Sequence, residues 1–206
     1  MNNTVELIGW YGGDEVNACS AWTSTSRELT DEKRGRIGKL LRDLASNGHE
    51  TPFEKTVLHF LVTTDIATHI HLLKHRIASI NAESARYKEL RSDNNYIPQD
   101  WPDYWKERLI NHNREGDRMY HQCITDLVAA GFDRKRAKES ARYFKSYNSQ
   151  IQADVMFNFR SFVNFQRLRN SPYAQVEIRD VAYQMIDLVK SIEGDPLRYT
   201  IEAFGL

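Results

Sequence analysis

The sequence predicts an α+β fold in which a small antiparallel sheet is flanked by long helices. Two patterns indicate this class. Apolar residues recur at helical spacing over several long segments, and three short segments have the composition or the alternation of strands. No repeat, low-complexity tract or linker divides the chain. We expect a single domain over residues 1–206, because this length suffices for one sizeable core but not for two ordinary ones.

The predicted strands are residues 5–10, 56–64 and 151–159. The first is ended by a cluster of glycines, and the second, TVLHFLVTT, is apolar and β-branched. The third is the clearest, since apolar residues occupy every second position from Ile151 to Phe159. Asn158 and Arg160 have the same parity, so we expect both on the polar side of this strand.

The first half of the chain contains two helical patterns. Residues 37–44 carry leucine and isoleucine at helical spacing, with Thr30 as the expected N-cap and Gly48 as the stop. Asp65 is the expected cap of a helix that continues to Ile77. This helix would place three basic residues near its end: Lys74, His75 and Arg76.

The second half contains longer helical patterns. A helix is expected from Asp103 to about Ala130, with Gly131 as its stop, and another begins near Asp133. A short helical pattern covers residues 161–169, and a last helix has apolar residues at helical spacing over 178–192.

Composition excludes several classes of protein. The 28 Lys+Arg residues balance the 28 Asp+Glu residues, so no overall field attracts nucleic acid or anionic lipid. No apolar run is long enough to cross a membrane. The two cysteines cannot form a disulfide framework or a zinc site, and the first ten residues lack a signal-peptide pattern. We therefore expect a cytoplasmic protein.

Basic and hydrogen-bonding residues are concentrated in three segments, 74–91, 134–145 and 158–169. Each could hold an anion, and the first mixes cations with hydroxyl and amide groups suited to a phosphate and a polar heterocycle. The alternative for each segment is an ordinary charged, solvent-exposed surface without a ligand. That alternative is strongest for 134–145, which reads as a basic helix face.

Other kinds of site have weaker support. Pro52 favours an extended Thr51 in the polar loop of residues 49–55, a usual position for a ligand. No third ligand accompanies His49 and Glu54 at a zinc-like spacing, so no metal is expected. Cys123 lies on an apolar helix face and is a poor nucleophile. A Rossmann fingerprint and a phosphate-binding P-loop are both absent from the sequence.

Three motifs together carry a resemblance to a known family. They are GHETPFEK at residues 48–55, KHRIASINAESARY at 74–87, and NFRSFVNFQRLR at 158–169 followed by AQVEIR. Their order and spacing, above all His75-Arg76 followed by Ser84 after seven residues, resemble the flavin-dependent thymidylate synthases, the ThyX family. The match spans about residues 49–179 and implies the ThyX-like fold.

The resemblance implies an FAD enzyme that converts dUMP to dTMP. It implies that methylenetetrahydrofolate donates the carbon and NADPH the reducing equivalents. It also implies a homotetramer with active sites shared between subunits, and no metal, nucleic-acid or membrane partner.

The resemblance also assigns residues. Those matching flavin-binding positions are Thr51, Glu54, Lys74, His75, Arg76, Asn81, Asn158, Arg160 and Asn164. Those matching nucleotide-binding positions are His71, Lys74, Glu83, Ser84, Ala85, Arg86, Tyr87, Arg142 and Arg169. Arg142 would reach dUMP from a neighbouring subunit, and Arg169 would be the catalytic arginine against the uracil. A guanidinium keeps its proton near neutral pH and therefore cannot serve as a base. It can, however, stabilise a negatively charged oxygen.

Some positions depart from the family pattern. Lys74 stands where arginine is usual, and Ala82 where a glutamate is common. Tyr173 replaces a frequent histidine, and His71 a frequent glutamine. Two alternatives stay open: a relative that binds flavin or nucleotide without methylating, and a nucleic-acid-binding module, against which the neutral net charge argues.

Overall fold

A computed structural model describes residues 2–84, 86–90 and 93–206. Its class is α+β, as predicted, with a four-stranded antiparallel sheet in the order β1-β2-β4-β3. The strands are β1 (Thr4–Tyr11), β2 (Val57–Asp65), β3 (Ser79–Ala82) and β4 (Gln150–Asn158).

Helices supply most of the remaining structure. They are α1 (Asp14–Trp22), α2 (Asp31–Arg34), α3 (Ile37–Ser46), α4 (Ile66–Leu72), α5 (Asp103–Ala129), α6 (Arg134–Ala141), α7 (Phe159–Arg169), α8 (Val176–Lys190) and α9 (Arg198–Phe204). Two 3₁₀ turns, Thr51–Lys55 and Arg142–Phe144, complete the described elements. No described helix is both long and apolar enough to span a bilayer.

The chain divides into two compact units. The sheet unit comprises residues 4–62, 71–81 and 154–206. The helical unit comprises the described residues of 2–3, 63–70 and 82–153. The expected single domain over residues 1–206 stays a prediction.

The core of the sheet unit is aromatic. Phe60 on β2 and Phe157 on β4 project from the buried face of the sheet, where the alternation of each strand puts them, and contact Phe162 on α7. Phe165, one turn further along α7, packs against Phe157, and all four side chains are almost completely buried. This packing fixes α7 on the sheet and thereby sets the direction of its polar residues.

The helical unit is built on α5 and α6. Asp133 caps α6, since its carboxylate accepts hydrogen bonds from two backbone amides of the first turn, and α6 packs two alanines against buried Tyr120 and Ile124 of α5. Gly116 permits a close approach, because a Cβ there would lie 2.7 Å from the backbone oxygen of Phe144. The side chain of Lys145 is almost fully buried and pairs with Asp93 and Asp117.

Most predicted elements are confirmed within a few residues, but four expectations were wrong. Thr30 caps the short helix α2 rather than the apolar helix α3. Thr51 begins a 3₁₀ turn rather than an extended loop, since a proline in a first helical turn loses no hydrogen bond there. Helix α4 ends at Leu72, so the 74–76 segment lies in the turn that leads into β3. Arg160 lies in the first turn of α7, because β4 ends at Asn158.

Candidate active site

A cleft of about 640 Å³ in the sheet unit collects most of the predicted cofactor residues. Its walls come from the 3₁₀ turn at Thr51–Lys55 and its preceding residue, the turn after α4, and one face of α7. The lining residues are Glu50, Glu54, Lys74, His75, Arg76, Ile77, Asn158, Arg160, Ser161, Val163, Asn164, Arg167, Leu168 and Arg169. The volume is in the range of ordinary ligand and cofactor pockets.

Asn158 organises one wall of this cleft. It ends β4 in an extended conformation, and its side-chain oxygen accepts a hydrogen bond of 2.8 Å from the backbone amide of Ser161. This N-cap starts α7 directly at the end of β4. Arg160 and Asn164, four residues apart, therefore lie on one helical face and line the cleft together.

Arg160 is held by two carboxylates. Its Nε donates to Glu50 at 2.9 Å and its Nη1 to Glu54 at 2.8 Å. Hydrogen bonds to Glu54 and Glu50 raise the pKa of Arg160 above its ordinary value. The clamp ties α7 to the 3₁₀ turn and offsets part of the negative charge of the two carboxylates that line the cleft.

Three further cations leave the cleft positive. Lys74, Arg76 and Arg167 line it, and none of them has a carboxylate within ion-pair distance in residues 2–84, 86–90 and 93–206. All three are exposed to solvent. Ammonium and guanidinium groups in this arrangement suit a phosphate or pyrophosphate.

Apolar groups complete the cleft. Ile77 is 75% exposed and Leu168 54% exposed, although both have large apolar side chains. Val163 also lines the cleft and is buried. Together with the amides of Asn158 and Asn164, these groups suit a planar heterocycle with polar edges. The residues of the cleft thus fit FAD. The cations suit its pyrophosphate, and the apolar side chains suit its ring system.

Arg169 and His75, which both line the cleft, contact each other. Arg169 is the last residue of α7, and its Nε donates to Nε2 of His75 at 3.0 Å. The His75 ring is 8% exposed and packs edge-on against Phe165 at 5.0 Å between centroids. Burial and the nearby charges of Arg169 and His71 lower the pKa of His75 to about 4, so the imidazole is neutral near pH 7.

Two predicted flavin residues and one nucleotide residue lie elsewhere in the sheet unit. Thr51 and Asn81 are exposed and are not among the residues that line the cleft. His71 also lies outside its lining, with its Nε2 3.1 Å from the side-chain oxygen of Gln175.

The predicted nucleotide residues that the structure describes outside the sheet unit belong to the helical unit. The Glu83 carboxylate pairs with Lys88 and accepts from the amide of Gln152, and Arg86 pairs with Glu139 at 2.7 Å. Tyr87 is 73% exposed and lines a smaller cavity of about 360 Å³ with four other residues: Lys88, Glu89, Arg134 and Lys138. Ser84 is half-buried and Arg142 is exposed. Ala85 lies outside the described residues.

Sequence reasoning missed several features. Glu50, Ile77, Arg167 and Leu168 line the cleft but were not predicted. Each lies inside one of the three motifs, and this position is the signal from which a role at the site could have been predicted. A second cavity of about 520 Å³ in the helical unit, near Asp117 and His121 of α5, was also missed. No group of three or more His, Cys, Asp or Glu side chains among the described residues is arranged to hold a metal ion.

Comparison with known proteins gives consistent matches. Residues 6–193 match the family described as "Thymidylate synthase complementing protein". The flavin-dependent thymidylate synthase of Pseudothermotoga lettingae is 31% identical over 198 residues, covering 91% of this chain and 85% of the relative. That of Thermotoga neapolitana is 31% identical over 204 residues, covering 97% and 89%.

A solved structure is similar over nearly its whole length. It is the crystal structure of a UMP/dUMP methylase, PolB, from Streptomyces cacaoi, bound with 5-Br dUMP. The TM-score is 0.80 at 27% sequence identity, and the match covers 99% of this chain and 95% of that one.

Proposed function

The chain belongs to the thymidylate synthase complementing protein family, the ThyX family of flavin-dependent thymidylate synthases, and on this premise we propose that it methylates dUMP to dTMP with FAD as its cofactor. One observation carries the proposal. All the predicted flavin-binding residues except Thr51 and Asn81 line a single cleft, although they come from distant parts of the sequence.

We propose that the cleft residues divide the work of binding. Lys74, Arg76 and Arg167 would neutralise the cofactor's phosphates, because they are exposed cations of the cleft and have no carboxylate partner among the described residues. Asn158 and Asn164 would hydrogen-bond polar edges of the flavin ring. FAD, when bound, would supply the redox chemistry that the side chains of this chain lack.

Arg169 would act on the nucleotide itself. Its Nε is engaged by His75, which leaves the terminal nitrogens as donors for a pyrimidine oxygen. Negative charge on that oxygen in the transition state would be stabilised by charge-assisted hydrogen bonds in a partly water-excluded site. Arg169 would thus activate the uracil ring electrostatically and would not act as a base.

The donor and the reductant are part of the same proposal. Methylenetetrahydrofolate would supply the one-carbon unit and NADPH the reducing equivalents, as the family resemblance implies. The free state of both cysteines supports a reducing cytoplasmic location.

We propose that the chain acts as one domain in a homotetramer with active sites shared between subunits. Exposed apolar side chains on the open face of the sheet, including Ile8, Trp10 and Met156, support such an association. Native mass spectrometry of the purified protein would give the subunit number directly.

Hybrid tetramers would test the sharing of active sites. Arg142→Ala and Arg169→Ala are each expected to be inactive. If each site takes Arg142 and Arg169 from different subunits, a tetramer mixed randomly from the two variants regains about a quarter of wild-type activity. Mixtures that stay inactive, although exchange of subunits is demonstrated, would contradict the sharing.

Growth of a bacterial strain that lacks thymidylate synthase tests the function in cells. Expression of this chain should remove the need for thymidine, whereas expression of Arg169→Ala to the same soluble level should not. Persistent thymidine dependence with soluble wild-type protein would contradict the proposal. UMP should be assayed beside dUMP, because the solved relative is described as acting on both.

The two alternatives predict different results. A relative that binds without methylating would bind dUMP and yield no dTMP. A nucleic-acid-binding module would show strongly salt-dependent binding to DNA or RNA.

A further inference from the structure

The contact between His75 and Arg169 constrains both side chains. A guanidinium carries N–H donors and no acceptor, so the 3.0 Å contact from Arg169 Nε requires an unprotonated Nε2 on His75. The imidazole is therefore neutral and carries its proton on Nδ1. A protonated His75 would present a second donor and a second positive charge to Arg169, which would break the bond.

The surroundings keep His75 in this form. Its ring is buried against Phe165, and burial disfavours the charged imidazolium. The groups that face it carry positive charge or none: Arg169 at the end of α7, His71 on α4, and the neighbouring Lys74 and Arg76 at the cleft. No carboxylate contributes to the shift in its pKa. Its neutral state is thus set by the fold over the physiological pH range.

We propose that His75 is a positioning residue for Arg169: its Nε2 accepts the Nε–H of Arg169, fixes the plane of the guanidinium and leaves the two terminal nitrogens directed for the pyrimidine. This role deepens the proposed function and rests on it. It differs from the flavin contact that the family resemblance assigns to His75.

The hydrogen bond from Arg169 to His75 would aid catalysis because it reduces the conformational freedom of the Arg169 side chain. A free arginine has several rotatable bonds, and a terminal donor that is misplaced by about 1 Å can cost about a hundredfold in rate. One hydrogen bond at Nε restrains the guanidinium without using its terminal donors. The restraint is available before the substrate arrives, so no binding energy is spent on ordering Arg169.

Two substitutions separate positioning from packing. In His75→Gln the amide oxygen reaches about as far as Nε2 and can still accept, whereas His75→Met has similar bulk and no comparable acceptor. His59→Gln is the matched control, because His59 pairs with Asp154 on the open face of the sheet and does not line the cleft. Flavin content is measured for each variant, and kinetics are run with saturating FAD.

We expect the two His75 variants to differ in kcat. His75→Met should lower kcat by about ten- to a hundredfold with little change in the KM for dUMP. His75→Gln should recover most of this loss, and His59→Gln should match the wild type. Equal losses in the Gln and Met variants, or no loss in either, would overturn the proposal.

Nitrogen NMR of protein labelled at histidine tests the pair without any enzymatic activity. His75, assigned by its absence in His75→Gln, should show an unprotonated Nε2 and a protonated Nδ1 at pH 7. In Arg169→Met the pKa of His75 should rise from about 4, because a facing positive charge is removed. A protonated Nε2, or an unchanged pKa in Arg169→Met, would refute the pairing even if the protein proves not to methylate dUMP.

Discussion

The buried His75 makes a quantitative prediction about stability against pH. An imidazole in the unfolded chain titrates near 6.5, whereas burial and the charges of Arg169 and His71 lower the pKa of His75 to about 4 in the folded protein. The unfolded state therefore binds this proton more readily than the folded state does. The free energy of unfolding should be unaffected above about pH 7 and should fall as the pH drops from 6.5 towards 4.

The magnitude follows from the two pKa values. At pH 5 the unfolded imidazole is almost fully protonated, and the folded one is almost fully neutral. Proton linkage gives a loss of about 2 kcal/mol between pH 7.5 and pH 5 from this residue alone. His75→Gln carries no titrating group, so its free energy of unfolding should fall less steeply over the same range by that amount.

Urea unfolding at a fixed protein concentration measures this difference. Wild type and His75→Gln are compared at several values from pH 7.5 to pH 5, and the concentration is held constant because subunit association shifts apparent stability. The difference at pH 7.5 reports packing and hydrogen bonding without a contribution from titration, since His75 is neutral in both states there. Parallel pH profiles for the two proteins would refute a neutral, buried His75.

Three other substitutions give clear expectations. Arg169→Ala should retain FAD and lower turnover by about two to three orders of magnitude, the usual cost of one transition-state donor; unchanged steady-state rates would remove Arg169 from catalysis. Lys145→Met leaves Asp93 and Asp117 without their buried cationic partner and should lower the free energy of unfolding, measured in urea, by about 2 kcal/mol or more. A variant as stable as wild type would show that these two ion pairs do not stabilise the fold. Asp133→Ala removes the cap of α6 and should cost about 1 kcal/mol, seen as a lower Tm, whereas Asp133→Asn should cost less.

Local patterns predicted the elements whose structure is local. The alternation over residues 151–159 and the helical spacing after Asp103 each specify one conformation, and β4 and α5 form nearly as predicted. The end of α4 was not predictable in this way. Residues 79–82 form β3, which lies next to β4 in the sheet, and this pairing with a distant segment outweighs the helical spacing that continues to Ile77.

The residues of the site were likewise predictable from local motifs, whereas their contacts with residues distant in the sequence were not. The motifs at 74–87 and 158–169 identified most of the cleft, because the family resemblance fixes residue types and spacing. The clamp of Arg160 by Glu50 joins side chains 110 residues apart, and the bond from Arg169 to His75 joins side chains 94 apart. Such pairs depend on the packing of α7 against the sheet, which one sequence does not reveal.

Formation of dTMP by the purified protein tests the proposed function most directly. Protein loaded with FAD is incubated with dUMP, NADPH and methylenetetrahydrofolate labelled at its methylene carbon, without oxygen, and the nucleotides are separated. We expect labelled dTMP whose formation requires all three co-substrates and is nearly lost in Arg169→Ala. A protein that binds dUMP and whose flavin is bleached by NADPH, yet forms no labelled dTMP, would contradict a methylating enzyme.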